Sequence, residues 1–134
     1  MIWVFGGGFS FGAGSYKQIH GDNLVNKRVI FVSFNYRVGP LGFLPRDDKA
    51  SGGLNGFADA IMAVKFVHSN IANFGGDNFR ITVSGLSAGA ITTCMLSASP
   101  FTVGLINSVI IHSGACTGSI YQPNSPKDGA KRLK

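Results

Sequence analysis

Apolar residues along this chain gather into four short runs, separated by polar and glycine-rich stretches. The runs cover residues 2–5, 29–34, 81–83 and 106–111. The second and fourth are almost continuously apolar and rich in β-branched residues, which is typical of strands covered on both faces. We therefore predict four strands, with the second and fourth covered on both faces.

A helical spacing of apolar residues lies between the second and third runs. Its members recur at i, i+4 and i+7 and so form one stripe: Ala60, Val64, Val67, Ile71 and Phe74. Gly75 and Gly76 follow, as is typical of a helix C terminus, and a second helix should begin just after Ser87. Alternation of strands and crossover helices predicts an α/β fold with a mostly parallel central sheet. Residues 37–53 are predicted to form a functional or packing loop.

The composition indicates that this chain is part of a larger folded protein. Charged residues make up 13% and hydrophobic residues 45% of the 134 positions, whereas a small domain should carry about 25% charge. We therefore expect a fold truncated at both ends. The net charge of +6 comes from scattered basic residues, which argues against nucleic-acid binding. No apolar run is long enough to predict a membrane span. Cys94 and Cys116 lack metal-ligand spacing, and we expect free buried thiols rather than a mutual disulfide.

The stretch Gly85-Leu86-Ser87-Ala88-Gly89 fits the pattern G-x-S-x-G between a strand and a helix. In that context the pattern indicates a sharp turn that presents a nucleophilic serine. The turn strains the serine backbone, and glycines on either side avoid side-chain clashes. The alternative is a glycine-rich turn in which the serine has no chemical role.

A glycine-rich loop, "WVFGGGF", follows the first strand. Gly6, Gly7 and Gly8 carry no Cβ, so their N–H groups could approach an oxyanion, and Ala88 could supply a further donor. A dinucleotide-binding loop is disfavoured because G-x-G-x-x-G would need glycine where Phe11 stands.

Four segments occur here in an order and spacing that resemble the type-B carboxylesterase/cholinesterase family: "WVFGGGFSFGAGS", "VSFNYRVGPLGFL", "ADAIMAVKFVHSNIANFGGDNFRITVSGLSAGA" and "SVIIHSGA". The resemblance implies that residues 1–134 are part of a single α/β-hydrolase domain that cleaves small carboxylic esters through an acyl-serine. It implies Ser87 as the nucleophile and Gly7, Gly8 and Ala88 as oxyanion-hole donors. It implies no metal and no cofactor, and it makes secretion or the endoplasmic-reticulum lumen the expected location.

The resemblance also assigns supporting roles. Arg37 and Asp59 match a buried ion pair, so we prefer a role in supporting the site over independent surface charges. Gly85 and Gly89 match the glycines around the nucleophile. Ser113 matches a serine near the catalytic centre, where it either donates a hydrogen bond or caps a strand end. Three aromatic residues could line an acyl pocket, although core packing is the preferred interpretation: Phe9, Phe11 and Phe43. Asp77 is interpreted as a turn residue.

Two features depart from the family pattern. Leu86 stands where active members usually have glutamate, and "GLNG" around Asn55 departs from the usual Asn-x-Gly order. The chain also contains no glutamate at all. After Ser87, the candidate acid and base reduce to Asp128 and His112, and we prefer a structural role for His112. His20 and His68 are interpreted as surface residues. We expect the triad acid and histidine to lie outside this chain, which would leave it inactive alone. The alternatives are a non-catalytic adhesion or scaffold protein and a truncated product that does not fold.

Overall fold

The computed structural model describes residues 1–15, 21–44 and 53–117. These form a sheet with helices between its strands. The strands are β1 (Ile2–Val4), β2 (Val32–Ser33), β3 (Thr82–Leu86) and β4 (Ser108–His112). The α-helices are α1 (Asp22–Val25), α2 (Gly39–Phe43), α3 (Asn55–Asn70) and α4 (Ala88–Ala98). Short 3₁₀ turns follow α3 and α4 at Ile71–Phe74 and Pro100–Thr102.

All pairs in the sheet are parallel, and the strand order is β2-β1-β3-β4. The predicted α/β class and parallel sheet are therefore confirmed. Because parallel strands end at the same edge, the segments after β1, β3 and β4 lie side by side there. In this register Val4 pairs with Gly85, and Leu86 pairs with His112.

The core lies between the sheet and the two long helices. It is built from one face of β1 and β3, the inner stripe of α3 and the far end of α4, with these fully buried side chains: Ile2, Val4, Val83, Ala60, Val64 and Leu96. The predicted stripe on α3 is confirmed as far as Ile71. Phe74 is 69% exposed, because the tighter 3₁₀ turn rotates it away from the core. Gly75 ends the segment with φ 78°.

Two further expectations are wrong. Within residues 37–44 the predicted loop contains helix α2, with Pro40 in its first turn, where proline is well tolerated. Residues 45–52 lie outside the described residues. Coverage on both faces fails for β4, since Ile110 is 42% exposed and Ile111 is 36% exposed to solvent in the described structure. No helix among the described residues is long and apolar enough to cross a membrane.

The expectation of free thiols is also wrong. Cys94 and Cys116 form a disulfide with their Cα atoms 5.6 Å apart. The two cysteines are 22 residues apart in the chain. They meet because α4 packs beside β4 and the chain after β4 returns to that helix.

Candidate active site

Ser87 occupies the tight turn between β3 and α4. Its backbone has φ 56° and ψ −121°, a positive-φ conformation that costs a non-glycine residue about 1–3 kcal/mol. The Ser87 N–H donates to the carbonyl oxygen of His112 at 2.9 Å. The strained serine backbone expected from the motif is thus present, and its neighbours hold it in place.

The two glycines of the motif explain how so sharp a turn fits between strand and helix. A Cβ on Gly85 would collide with the carbonyl oxygen of Gly89 and lie 2.7 Å from the Thr93 hydroxyl. A Cβ on Gly89 would collide with the carbonyl oxygen of Val4. Helix α4 can therefore start directly against the sheet only because both positions lack a side chain.

The glycine loop after β1 lies against this turn. A Cβ built on Gly6 would be 3.2 Å from the Ser87 Cβ and 2.6 Å from the Leu86 carbonyl oxygen. Gly7 and Gly8 have φ values of 124° and 59°, which glycine adopts without a steric penalty.

The turn in the glycine loop also orients its N–H groups. The carbonyl oxygen of Gly7 accepts from the N–H groups of Ser10 and Phe11 at 3.0 and 3.2 Å. The C=O and N–H of a planar trans peptide point in opposite directions, so the Gly8 N–H faces away from this turn. Apart from Gly8 and its two chain neighbours, no described residue has an atom within 4 Å of a Cβ built on Gly8, so this side of the loop is open.

Ala88 is the first residue of α4. The first N–H groups of a helix have no acceptor within that helix, and the helix dipole favours negative charge at this end. The Ala88 N–H and the glycine-loop N–H groups are therefore suited to stabilising an oxyanion.

The segment after β2 anchors the glycine loop. The buried Tyr36 hydroxyl donates to the Phe5 carbonyl oxygen at 2.7 Å, and the two rings stack 4.3 Å apart. Asn35 Oδ1 accepts from the Gly14 N–H at 2.8 Å, and the Gly39 N–H donates to the Phe9 carbonyl oxygen at 2.6 Å. Burial raises the pKa of Tyr36 to about 12, so this hydroxyl stays protonated at neutral pH.

Arg37 and Asp59 connect the same segment to α3. The Arg37 Nε and a terminal guanidinium nitrogen donate to the two carboxylate oxygens at 2.8 and 2.7 Å, and the Arg37 N–H donates at 3.0 Å. Hydrogen bonding from Arg37 lowers the pKa of Asp59. The predicted pair is present, but its predicted burial is wrong: the side chains are 53% and 28% exposed. Both side chains therefore reach solvent.

The other predicted residues fall in several places. Ser113 follows β4 with φ 52°, and the exposed His112 ring lies 6.3 Å from the Trp3 ring. Phe9 and Phe43 contact each other with ring centroids 4.9 Å apart, and Phe43 packs on the core.

Phe11 is 67% exposed, so core packing is wrong for it. Asp77 accepts from the Phe79 N–H at 2.8 Å, as a turn residue does. His68 is partly exposed in the last turn of α3. His20 and Asp128 lie outside the described residues.

Sequence reasoning missed the anchoring role of Asn35 and Tyr36. The signal that could have revealed it is the string "FNYRVG" directly after an apolar run. Two hydrogen-bonding side chains at the end of a parallel strand lie at the edge where neighbouring strands also end.

Comparisons with known proteins agree with this geometry. The family model described as "Carboxylesterase family" matches residues 1–134. Juvenile hormone esterase of Tribolium castaneum is 44% identical over 115 residues, covering 86% of this chain and 20% of that protein. Human bile salt-activated lipase is 39% identical over 145 residues, covering 99% of this chain and 19% of that protein. The chain thus spans about a fifth of the length of these relatives.

Solved structures show the same relationship. Juvenile hormone esterase from Manduca sexta, with OTFP covalently attached, superposes with a TM-score of 0.84 at 30% identity, covering 98% of this chain and 29% of that one. A carboxylesterase of Geobacillus stearothermophilus superposes with a TM-score of 0.77 at 36% identity, covering 81% of this chain and 25% of that one. The sheet, the strained serine turn and the whole-length family match lead to one conclusion: this chain belongs to the carboxylesterase family and has the α/β-hydrolase fold.

Proposed function

We propose that this chain carries the nucleophile and the oxyanion donors of a serine carboxylic-ester hydrolase, as part of one α/β-hydrolase domain that extends beyond residues 1–134. The observation that carries the proposal is the strained, positive-φ backbone of Ser87 between β3 and α4, with the Gly6 backbone against its Cβ. A serine with only a structural role has no need of such strain beside a glycine-rich loop.

The proposed reaction proceeds through an acyl-serine. The Ser87 Oγ attacks the carbonyl carbon of a small ester, and the π electron pair moves to the carbonyl oxygen. The N–H groups of Gly7, Gly8 and Ala88 donate to that oxyanion, and loss of one such donor typically costs about 10²–10³-fold in rate. Collapse of the intermediate expels the alcohol, and water then releases the acid from Ser87.

The serine proton requires a base. His112 gives its backbone carbonyl to the Ser87 N–H, and its ring lies beside Trp3. We therefore assign the base and its acid to parts of the protein outside residues 1–134. Because members of a triad act as a unit, residues 1–134 alone should hydrolyse esters no faster than the Ser87→Ala variant does.

Leu86 bears on the substrate class. Its side chain is partly exposed directly before Ser87 and is apolar at a position where the family usually has glutamate. We propose neutral carboxylic esters as substrates, without a preference for cationic ones.

Fluorophosphonate labelling of the full-length protein tests the proposal. The label forms a covalent bond with an activated serine, so peptide mapping should place it on Ser87, and Ser87→Ala should abolish it. Ser84→Ala is the matched control. Ser84 lies on β3, the strand that leads into Ser87; it is fully buried and has no hydrogen-bond partner in the described part of the chain. A folded full-length protein that takes no label would contradict the hydrolase proposal and favour a non-catalytic scaffold.

A further inference from the structure

The Cys94–Cys116 disulfide joins two elements that both contact Ser87. Cys94 lies in the second turn of α4, the helix that begins directly after Ser87. Cys116 lies just beyond β4, in the segment 113–116, which we call the return segment. The disulfide therefore fastens the return segment to the helix that carries the proposed oxyanion donor.

The return segment packs on the first turn of α4. A Cβ on Gly114 would lie 2.6 Å from the Ala90 Cβ, 2.8 Å from the Ser87 carbonyl oxygen and 3.3 Å from the Ile91 nitrogen. The backbone of Ser87 is thus contacted twice by this part of the chain. His112 accepts from its N–H, and Gly114 lies against its carbonyl group.

Two strained residues lie next to each other at this point. Leu86 and His112 are partners in the β3–β4 register, and each is followed by a serine with positive φ, 56° at Ser87 and 52° at Ser113. Such conformations persist only where the surrounding structure enforces them. The contacts that enforce the Ser113 conformation include the packing of Gly114 on α4 and the disulfide from Cys116 to α4.

We propose that the Cys94–Cys116 disulfide is a positioning element for Ser87. By holding the return segment on α4 it maintains the strained serine turn, so the reactivity of Ser87 depends on this bond. The inference rests on the proposed function, since it concerns the rate at which Ser87 reacts.

The bond is open to exchange with an external thiol, because Cys116 is exposed and Cys94 is partly exposed. An added dithiol supplies the two electrons and two protons that convert the disulfide into two thiols. The dithiol itself closes into a cyclic disulfide.

The test measures fluorophosphonate labelling of the full-length protein before and after dithiol treatment, with separate determination of the maximal labelling rate constant and the concentration for half-maximal rate. The rate constant is taken from the time course of the molecules that become labelled. A loss of folded protein lowers the final amount of label and leaves this rate constant unchanged. We expect reduction to lower the maximal rate constant by about tenfold or more, since small misplacements of a reacting group are costly. The fluorophosphonate concentration for half-maximal rate should change by less than about twofold, because noncovalent binding of the reagent is retained.

A Cys94→Ser/Cys116→Ser variant should label at the reduced rate and show no response to the dithiol, which controls for any other cysteines. If that variant does not fold, dithiol treatment of the folded wild-type protein still decides the question. Equal rate constants, with alkylation confirming that Cys94 and Cys116 are reduced, would overturn the inference and leave the hydrolase proposal intact. Free thiols at both positions in protein alkylated during lysis would overturn it as well. Absence of label on Ser87 in either redox state would remove both proposals.

Discussion

Gly89 has no room for a side chain where α4 meets β1. A Cβ there would collide with the Val4 carbonyl oxygen and lie 2.6 Å from that of Phe5. Because both obstacles are backbone atoms, Gly89→Ala must shift the helix, and we expect a loss of about 3 kcal/mol in the free energy of unfolding. Gly75→Ala is the control: Gly75 has φ 78° with nothing within 4 Å, so only backbone strain of about 1 kcal/mol applies. Urea unfolding of the full-length variants gives both values, and equal losses would contradict the packing argument.

Leu86 allows a test of substrate charge at one position. Introducing a carboxylate beside the reacting centre should favour an ester with a quaternary ammonium group over its uncharged isostere. At a partly exposed site the gain should be about 1 kcal/mol, or about fivefold in the ratio of kcat/KM values. Leu86→Glu should produce this change, and Leu86→Gln, which adds polarity without charge, should not. A wild-type enzyme that already prefers the cationic ester would contradict the proposed neutral substrate class.

Tyr36 predicts a stability change at alkaline pH. Burial raises its pKa to about 12, from 10.0 for an unperturbed phenol. The folded state therefore favours the protonated phenol. The resulting stabilisation is complete below about pH 10 and is lost as the pH rises towards 12. Unfolding free energies of wild type and Tyr36→Phe, measured across this range, should converge on the alkaline side. A Tyr36 phenolate absorbance that develops near pH 10, read from the difference between the two proteins, would contradict the argument.

At the scale of elements, the sequence identifies the strands better than their ends. The run 29–34 is apolar except at Ser33, yet only Val32–Ser33 forms strand β2, because β1 offers partners to just those two residues. Strand β3 instead continues past Val83 to Leu86, since β4 pairs with it throughout. Hydrophobicity reports burial, whereas strand length is set by the partner, and a single sequence does not show which segments are partners.

The same limit explains which parts of the site could be predicted. The G-x-S-x-G turn and the glycine loop are local in sequence, so their residues and backbone strain follow from residue type. The anchoring of the loop by Tyr36 and the disulfide between Cys94 and Cys116 depend on contacts across 31 and 22 positions. Such contacts become visible only once the sheet order is known. The disulfide is suited to an oxidising compartment, and location in a secretory compartment stays a prediction.

The Arg37–Asp59 pair joins the loop-anchoring segment to α3, and it predicts an acid-dependent effect. Hydrogen bonding from Arg37 lowers the Asp59 pKa below its usual value of 3.8. A lowered carboxyl pKa stabilises the fold above the unfolded-state value, and this stabilisation is lost as the pH falls through the folded-state value. Asp59→Asn should reduce stability at about pH 6, and this difference should shrink towards about pH 2, as the Asp59 carboxyl takes up a proton.

Because both side chains reach solvent, the effect should be small and should weaken in high salt. Thermal melts of wild type, Asp59→Asn, Arg37→Gln and the double variant isolate the pair from other effects of each substitution. A coupling between the two positions that is the same at both pH values would show that charge is not its source.

For the whole molecule, large apolar side chains remain at the surface of the described structure. They lie on α3, on the connections around it and on the outward face of β4, and include Met62, Phe66, Phe79, Phe101 and Ile110. In the described sheet β4 is also an edge strand, and exposed edges with apolar side chains promote association between chains. We therefore expect residues 1–134, expressed alone, to self-associate at micromolar concentration and to bind a dye specific for apolar surfaces.

The position of Ile110 makes this expectation testable with one substitution. Ile110→Lys places a charge on the exposed face of the edge strand, where charged residues oppose strand pairing, and should shift the sedimentation profile towards smaller species. Ser108→Lys is a matched control: it adds the same charge to an exposed position of the same strand without removing apolar surface, so it should act more weakly. A soluble wild-type monomer with a cooperative melt would show that these 134 residues bury enough apolar surface to be stable on their own. In that case, the proposal that they are part of a larger hydrolase domain would lose its physical basis.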